Sequence, residues 1–305
     1  METILITGAG PNGVTGKRIK EKLQDNYLIL SPSSKELNLI DATAVDRYFD
    51  NHRIDYVIHS ALTSPSRGHD STLIEDEVES NLRMYFNLAR HSDDFKKMFF
   101  FGSGAEFDKS QEIKEIKEEE YMTRMPRDKY GFVKYILNNH AVKSDNIYNL
   151  RLFGTINPYE PYTRNVISNL CAKATCRKPL NLRRDCIFSF IDVDDIAAFI
   201  HYGIANKLLF HDYNMASRMY RLKEIAEIIN DSFCDGRNTI TFEIEGFNRE
   251  YTACNQRLRH EFTGFTPLQD SITKVFAYQK NHSKNINIDM IDTRWKPSNN
   301  VGGCN

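Results

Sequence analysis

The stretch "TILITGAGPNGVTGKRIKEKL", residues 3–23, decides how the rest of the chain is read. Thr3–Thr7 is a short apolar run of the kind that forms a buried strand. Glycines follow at 8, 10, 13 and 16, and then the apolar positions take up helical spacing. Strand, glycine turn and helix in that order open a parallel sheet. Glycines in such a turn let backbone N–H groups approach a pyrophosphate, which then sits at the positive end of the helix dipole. Gly8-Ala9-Gly10-Pro11-Asn12-Gly13 taken alone also fits a plain turn; its place between a strand and a helix is what points to a dinucleotide. Lys17 and Arg18 stand near the helix start, where cations are unfavourable unless an anion offsets them. A bound phosphate would do so, and a solvated basic face is the plain alternative.

Outward from this stretch, short apolar runs alternate with amphipathic ones. Strands are expected at 3–7, 27–30, 55–60, 97–102 and 149–153, with helices between them at about 14–25, 43–51, 71–91 and 127–143. Beyond Phe153 the order loosens into a helix near 164–176, a strand near 186–191, helices near 194–206 and 222–233, and a last helix after Pro267. The fold class is α/β: a Rossmann-type doubly wound parallel sheet with a smaller C-terminal α/β substrate lobe. The expected division is a dinucleotide-binding domain over 1–160, with parts of 185–215 returning to it, a substrate-binding lobe over 161–280 and a polar tail over 281–305.

At 305 residues the chain can bury one large core or two fused ones. A formal net charge of -1 gives no general attraction to nucleic acid or to an anionic membrane, so neither is expected as a partner. No apolar run approaches the ~20 residues that span a bilayer. The six cysteines form no CxxC pair and follow no zinc spacing, and the nine histidines show no metal-ligand spacing, so no metal is expected and a reducing cytoplasm fits best. Asp194 and Asp195 read as caps of a helix beginning there. The charge run "KEIKEEE" (114–120) reads as a solvated surface loop.

The second strand ends "LILSPSSKE", offering serines and Lys35 where a cofactor with a free 2'-hydroxyl meets an acid. That favours a 2'-phosphate, hence NADP, with NAD possible if Glu36 reaches round. Further on, Tyr130 and Lys134 lie four positions apart in "KYGFVKY" (129–135), on one face of an expected helix. A lysine ammonium favours the phenolate and brings tyrosine, ordinarily near ~10, toward a range where it exchanges a proton with a substrate oxygen. Ser103, after the fourth strand in "FFFGSGAEF", has one donor and two lone pairs with which to hold that oxygen.

With these residues in this order the chain resembles the extended short-chain dehydrogenase/reductases, the NAD-dependent epimerase/dehydratase family, over most of its length to about residue 280. The resemblance is carried by Thr7-Gly8 with Gly13 and Gly16, "ELNLID" ending in Asp41, "HSA" at 59–61, Asn81, Ser103, Tyr130 with Lys134, and "DVDDIA" at 192–197. Within the family the segment from Glu36 to Ala61 looks most like the GDP-fucose synthase-like nucleotide-sugar reductases. The resemblance implies a nucleotide-sugar substrate and cofactor contacts at Gly8, Gly10, Gly13, Gly16, Asp41, Ala61 and Asn81. Asp41 would meet the adenine, and Lys134 would also hold the nicotinamide ribose. Asn81 reads equally as a polar residue internal to its helix. The resemblance further implies a homodimer built on the helix of Tyr130, whose Phe132, Ile136 and Leu137 fit either an interface or the chain's own core.

The departures narrow the reaction. Dehydratases of this family carry Asp-Glu directly after the serine or threonine, whereas Gly104 and Ala105 stand here. The double epimerisation of GDP-fucose synthases uses a cysteine where this chain has Ala105 and a histidine where it has Asn165. What remains is hydride transfer at one carbon: reduction of a 4-keto-6-deoxy sugar or, as the alternative, a 4-epimerase recycling NAD. The missing acid after the second strand favours the reductase. A protein that senses the cofactor without chemistry is the other class, and the presence of Ser103, Tyr130 and Lys134 together speaks against it. The family's usual substrate-holding asparagine is Gly154 here, and its diphosphate-clamping arginine is Phe188. Arg164, Arg183 and Arg184 are the candidates to replace that clamp, with plain surface charge as the bland alternative.

Overall fold

The computed structural model describes residues 1–63 and 77–291. The first half alternates strand and helix: β1 (Thr3–Thr7), α1 (Val14–Leu23), β2 (Leu28–Leu30), α2 (Ala42–Asn51), β3 (Tyr56–His59), α3 (Glu77–Ala89) and β4 (Lys97–Ser103). Then come β5 (Ile113–Ile116), α4 (Lys129–Ala141), β6 (Ile147–Leu152) and β7 (Gly154–Ile156). Residues 71–76 of the helix expected over 71–91 lie outside the described residues, as does Cys304. The second half holds α5 (Val166–Thr175), β8 (Leu180–Leu182), β9 (Ile187–Asp192), α6 (Val193–Ala205), β10 (Asp212–Met215), β11 (Arg218–Arg221) and α7 (Leu222–Phe233). It ends with β12 (Ile240–Phe242), β13 (Tyr251–Ala253), α8 (Gln256–Glu261), α9 (Leu268–Asn281) and α10 (Ile288–Ile291).

The main sheet has six strands in the order β10-β6-β4-β3-β1-β2, and every pairing in it is parallel. Such a sheet is covered on both faces, which is why its strands read as continuous apolar runs. In β4, Phe99 and Phe101 face one core with Ile4, Ile6, Ile58, α1 and α6. Met98 and Phe100 face the other, with Leu5, Val57, α2, α3 and α4. Strand order reverses between β1 and β3, so the crevice where such folds take ligands opens at the carboxyl ends of those two strands.

The sixth strand, β10, was not expected from the sequence: "DYNM" is short and half polar, and its place is fixed by parallel pairing to β6. The run 114–120 is solvent-exposed at Lys114, Glu115, Lys117 and Glu119, as expected, but it is not a loop. Ile113–Ile116 is a strand paired to β13, and Glu118 is buried with its carboxylate accepting from the Asn214 N–H at 2.9 Å. Tertiary partners more than ninety residues away outweigh the local charge. These strands belong to a second sheet, β11-β9-β13-β5, with β7 beside β9, packed with α5, α7 and α9 around a separate apolar core. Leu258 of α8, with Phe262 and Phe265 after it, packs back on the main-sheet core. Of the segment 281–305, the described part runs to Ile291, which is buried and whose carbonyl accepts from Asn169 Nδ2 at 2.8 Å.

The start of α6 is capped by Asp192, which accepts from the Asp194 N–H at 2.8 Å; Asp194 and Asp195 themselves are not the caps. Asp194 takes both Nε and Nη2 of Arg18, at 2.7 and 3.0 Å, and Lys274 of α9 at 2.9 Å. Asp195 accepts from Thr266. Arg18 is thus neutralised by protein carboxylates rather than by a phosphate, and Lys17 lies over the Tyr159 ring at 4.3 Å from its centroid.

Candidate active site

The glycine loop closes on backbone. Gly8 sits at φ +71, and a Cβ there would come within 2.5 Å of the Ala61 nitrogen at the end of β3. A Cβ on Gly13 would overlap the Gly8 carbonyl oxygen, and one on Gly16 would stand 2.7 Å from it. At Gly10 nothing lies within 4 Å of the same position. No side chain caps α1, so its first N–H groups are presented where the loop is open. Three glycines fold the loop tightly and the fourth faces open space, an arrangement that fits a pyrophosphate at the start of α1.

The neighbouring cofactor candidates are held by short contacts. Thr7 Oγ1 and His59 Nδ1 share a hydrogen bond at 2.8 Å. Burial, with the charge of Lys134 second, pushes the His59 imidazole down to about 3, so it stays neutral. Asn81 is buried and clamps the segment after Ala61: Oδ1 accepts from the Thr63 N–H at 3.0 Å, and Nδ2 donates to the Thr63 and Glu77 carbonyls at 2.7 Å each. This is the helix-internal reading, and the amide fixes Thr63, two residues after the Ala61 that borders Gly8. Asp41 caps α2 through Oδ1. At the end of β2, Glu36 accepts from the Ser33 N–H at 2.7 Å and is committed to that turn, while Lys35 is exposed. Lys20 of α1, not singled out in the sequence, donates to Ser31 Oγ at 2.7 Å and adds a second cation there.

Ser103 ends β4, nearly buried, with Oγ accepting from the Ala105 N–H at 3.2 Å. That bond uses a lone pair and leaves the hydroxyl proton to donate. α4 begins at the Asp128 cap, and Gly131 in its first turn is what lets it approach: a Cβ there would come within 2.5 Å of the Ala105 carbonyl oxygen. Tyr130 and Ser103 are thereby carried on two segments in direct contact. The Lys134 ammonium stands 5.9 Å from the Tyr130 ring centroid and donates to the Phe101 carbonyl at 2.6 Å, buried. Lys109 lies 5.9 Å from the same ring. Of the stripe Phe132, Ile136 and Leu137, Leu137 belongs to the chain's own core and the other two are half-buried.

Glu106, three residues after Ser103, is the carboxylate that sequence reasoning passed over. It accepts from the Ser103 N–H at 3.0 Å and from Arg151 Nε at 2.8 Å, and all of it is buried. Burial pushes its carboxyl up while Arg151 opposes the shift. Arg151 continues to Asp212 at 3.0 Å, and Asp212 to Arg257. The chain of charges backs the Ser103 N–H, and its Glu106, Arg151 and Asp212 members are buried. Asn165 is likewise committed, capping α5 through Oδ1 and donating to the Thr155 carbonyl.

On the far side of Ser103 the wall is aromatic. A Cβ on Gly104 would meet the Tyr251 hydroxyl and the Phe153 ring, and Phe188 packs at a tilt against Tyr251 with centroids 4.8 Å apart. The sequence-predicted arginines lie off this wall: Arg164 exposed before α5, Arg183 and Arg184 half-buried in the turn between β8 and β9.

GDP-L-colitose synthase of Yersinia pseudotuberculosis is 31% identical over 110 residues, 35% of each chain. GDP-L-fucose synthase of Escherichia coli (strain K12) is 32% identical over 106 residues, 33% of each chain. The matches span about a third of the length of these curated relatives. Among solved structures, a GDP-L-fucose synthetase from Naegleria fowleri bound to NADP superposes with a TM-score of 0.76 at 20% identity, over 93% of this chain and 94% of that one. GDP-mannoheptose C4 reductase from Campylobacter jejuni with NADP bound gives 0.73 at 17% identity, over 92% and 98%. At such identities the likeness speaks for the fold. Family membership rests on the sequence profile, which runs from β1 through β10: with residues 4–216 matched, the chain belongs to the NAD dependent epimerase/dehydratase family.

Proposed function

We propose that the protein is an NADPH-dependent reductase of a 4-keto nucleotide sugar, most simply a 4-keto-6-deoxy sugar. The observation that carries the reading is the state of the groups next to Ser103. Gly104 and Ala105 hold no proton, Glu106 is sealed against Arg151, and Asn165 is spent as a cap. Tyr130 is then the proton carrier at the site, which suits one carbonyl changed once and not an elimination or a double epimerisation. The reduced nicotinamide, when bound, supplies the hydride. Tyr130 gives its phenolic proton to the oxygen that becomes the alcohol, Ser103 donates a hydrogen bond to that oxygen, and Lys134 holds positive charge beside the phenol as it turns anionic.

Gly8, Gly13 and Gly16 shape the cofactor cradle, Gly10 opens it, and Lys35 with Lys20 favours a 2'-phosphate over a free 2'-hydroxyl. Cofactor contact at Asp41, Ala61 and Asn81 belongs to the same proposal, as does a homodimer through α4. The NADP in the two solved relatives supports this choice. The relatives' GDP-sugar names support the substrate class. The 4-epimerase stays second, because Glu36, the acid nearest the end of β2, is committed to the Ser33 turn.

The test is to incubate the purified chain with NADPH and GDP-, dTDP-, CDP- and UDP-linked 4-keto sugars and follow loss of the reduced cofactor's absorbance. Consumption with one base and not the others is expected. Release of NAD+ on denaturing the protein, with no consumption of added NADPH, would move the assignment to the epimerase.

A further inference from the structure

We propose that Arg124 and Arg127, on the loop leading into α4, form the clamp that holds the substrate's diphosphate. The inference rests on the nucleotide-sugar reading above and adds to it the residues that bind the charge. The starting point is an open cavity of about 430 Å³ lined by Asp108, Gln111, Arg124, Met125 and Arg127. Chain neighbours of its lining residues tie it to the start of α4 and to Tyr130. Lys109, next to the lining residue Asp108, stands 5.9 Å from the Tyr130 ring centroid and 3.6 Å from Asp128, the residue that caps α4. Arg127 is adjacent to that cap in the chain.

Both guanidinium groups are on exposed residues, and among the described residues neither has an ion-pair partner. This sets them apart from the arginines around them. Arg151 is locked between Glu106 and Asp212, Arg257 is tied to Asp212 and Glu119, and Arg221 is tied to Asp185. The acid in the cavity wall is already engaged: Asp108, turned at φ +58, accepts from the Ser110 N–H and hydroxyl at 3.1 and 2.9 Å, and Asp128, next to Arg127 in the chain, accepts from the Gly131 N–H at 2.9 Å. Two free guanidinium forks three residues apart, with a lysine behind them, match the chemistry of a diphosphate, which takes paired N–H donors from each arginine. The aromatic residues by Gly104, Phe153 and Tyr251 with Phe188 against them, carry no charge to do this, and Arg164, Arg183 and Arg184 do not line this cavity. A sugar lying against the aromatic wall with its carbonyl at Tyr130 would leave its diphosphate at the arginine rim.

Binding of GDP, UDP, dTDP, CDP and inorganic pyrophosphate is measured by calorimetry on the whole chain, for wild type, for Arg124→Gln with Arg127→Gln, and for Arg124→Lys with Arg127→Lys. The double glutamine variant is expected to weaken the preferred nucleoside diphosphate, and pyrophosphate with it, by about tenfold per guanidinium. NADPH affinity and the melting temperature should not move, because the residues are exposed. The lysine variant should recover part of the loss, since charge is kept and the fork is not. Unchanged diphosphate affinity in the glutamine variant overturns the clamp and leaves the substrate class standing. A wild type that binds NADPH but none of the four nucleoside diphosphates overturns the substrate class, and the clamp with it.

Discussion

On the cofactor side of Ser103 the site is backbone packed on backbone: the Gly8 carbonyl lies against Gly13 and Gly16, and Gly8 itself against the Ala61 nitrogen. On the substrate side the atoms nearest a Cβ on Gly104 belong to side chains brought from elsewhere, Phe153 just after β6 and Tyr251 from β13, with Phe188 of β9 against Tyr251. A cradle made of backbone is specified by the absence of Cβ atoms at fixed spacing in one segment. A wall made of side chains is specified by the fold as a whole. The first tolerates almost no substitution and little variety of ligand; the second can change its occupant by exchanging single residues.

Between the two sides stands Tyr130, and its loss should give the largest effect. Tyr130→Phe keeps the ring that packs near Lys109 and Lys134 and removes the proton. Turnover of the 4-keto sugar should fall about 10²–10⁴-fold, with NADPH affinity nearly unchanged by titration of cofactor fluorescence. Retained turnover would mean that another group protonates the substrate, and retained cellular function without turnover would bring back the cofactor sensor.

The frame behind the cofactor side depends on Asp194, which fastens α1 through Arg18 and α9 through Lys274. Burial alone would raise its carboxyl, but Arg18 and Lys274 outweigh this and hold it well below the usual carboxylate range. A carboxylate depressed in the folded state adds stability above its unfolded value, near 3.8, and loses it as pH falls through the folded one. Asp194→Asn should therefore cost on the order of 3 kcal/mol at neutral pH. Its denaturant midpoint should also change less with acidification below about pH 4 than the wild type's. Parallel acid profiles for the two proteins would show that Asp194 is not ionised against Arg18.

Two alanine variants sharpen the contrast within the glycine loop. Gly13→Ala drives a methyl into the Gly8 carbonyl and should destabilise the chain by about 1–3 kcal/mol, as overpacking does. Gly10→Ala points into open space, so its melting temperature should match wild type while NADPH affinity falls. If both variants melt like wild type, the loop is looser than its packing implies; if Gly10→Ala binds NADPH normally, the open space is not where the pyrophosphate lies.

The same contrast explains what could be read from the sequence. β1, α1 and the helix of Tyr130 were legible because each is set by a local pattern: an apolar run, glycine spacing, an i to i+4 pair. β10, β5 and β13 were not, since "DYNM", "IKEI" and "YTA" are short and carry polar side chains whose partners come from distant segments. Asp212 is polar in a buried strand only because Arg151 and Arg257 meet it there. Asp194 was read as a cap because acids gather at helix starts, and the sequence could not reveal that Arg18 would arrive from 176 residues away. Lys20 went unnoticed for the same reason, since its bond to Ser31 spans a turn between α1 and β2.

The smallest expected effect tests whether the cofactor side carries a side-chain choice of its own. At the end of β2 Glu36 is held by the Ser33 N–H, so the ribose would meet Lys35 and the Lys20–Ser31 pair. Lys35→Glu adds a free carboxylate that accepts from a 2'-hydroxyl and repels a 2'-phosphate. Affinity for NADPH should drop about tenfold, roughly one 1.4 kcal/mol step, while NADH gains, as read from paired dissociation constants at one ionic strength. A larger loss at low salt than at high salt would mark the contact as electrostatic at an exposed lysine. Should the NADPH-to-NADH ratio stay where it was, Lys20→Ser becomes the deciding variant, because that ammonium is then the cation left at the strand end to hold a 2'-phosphate.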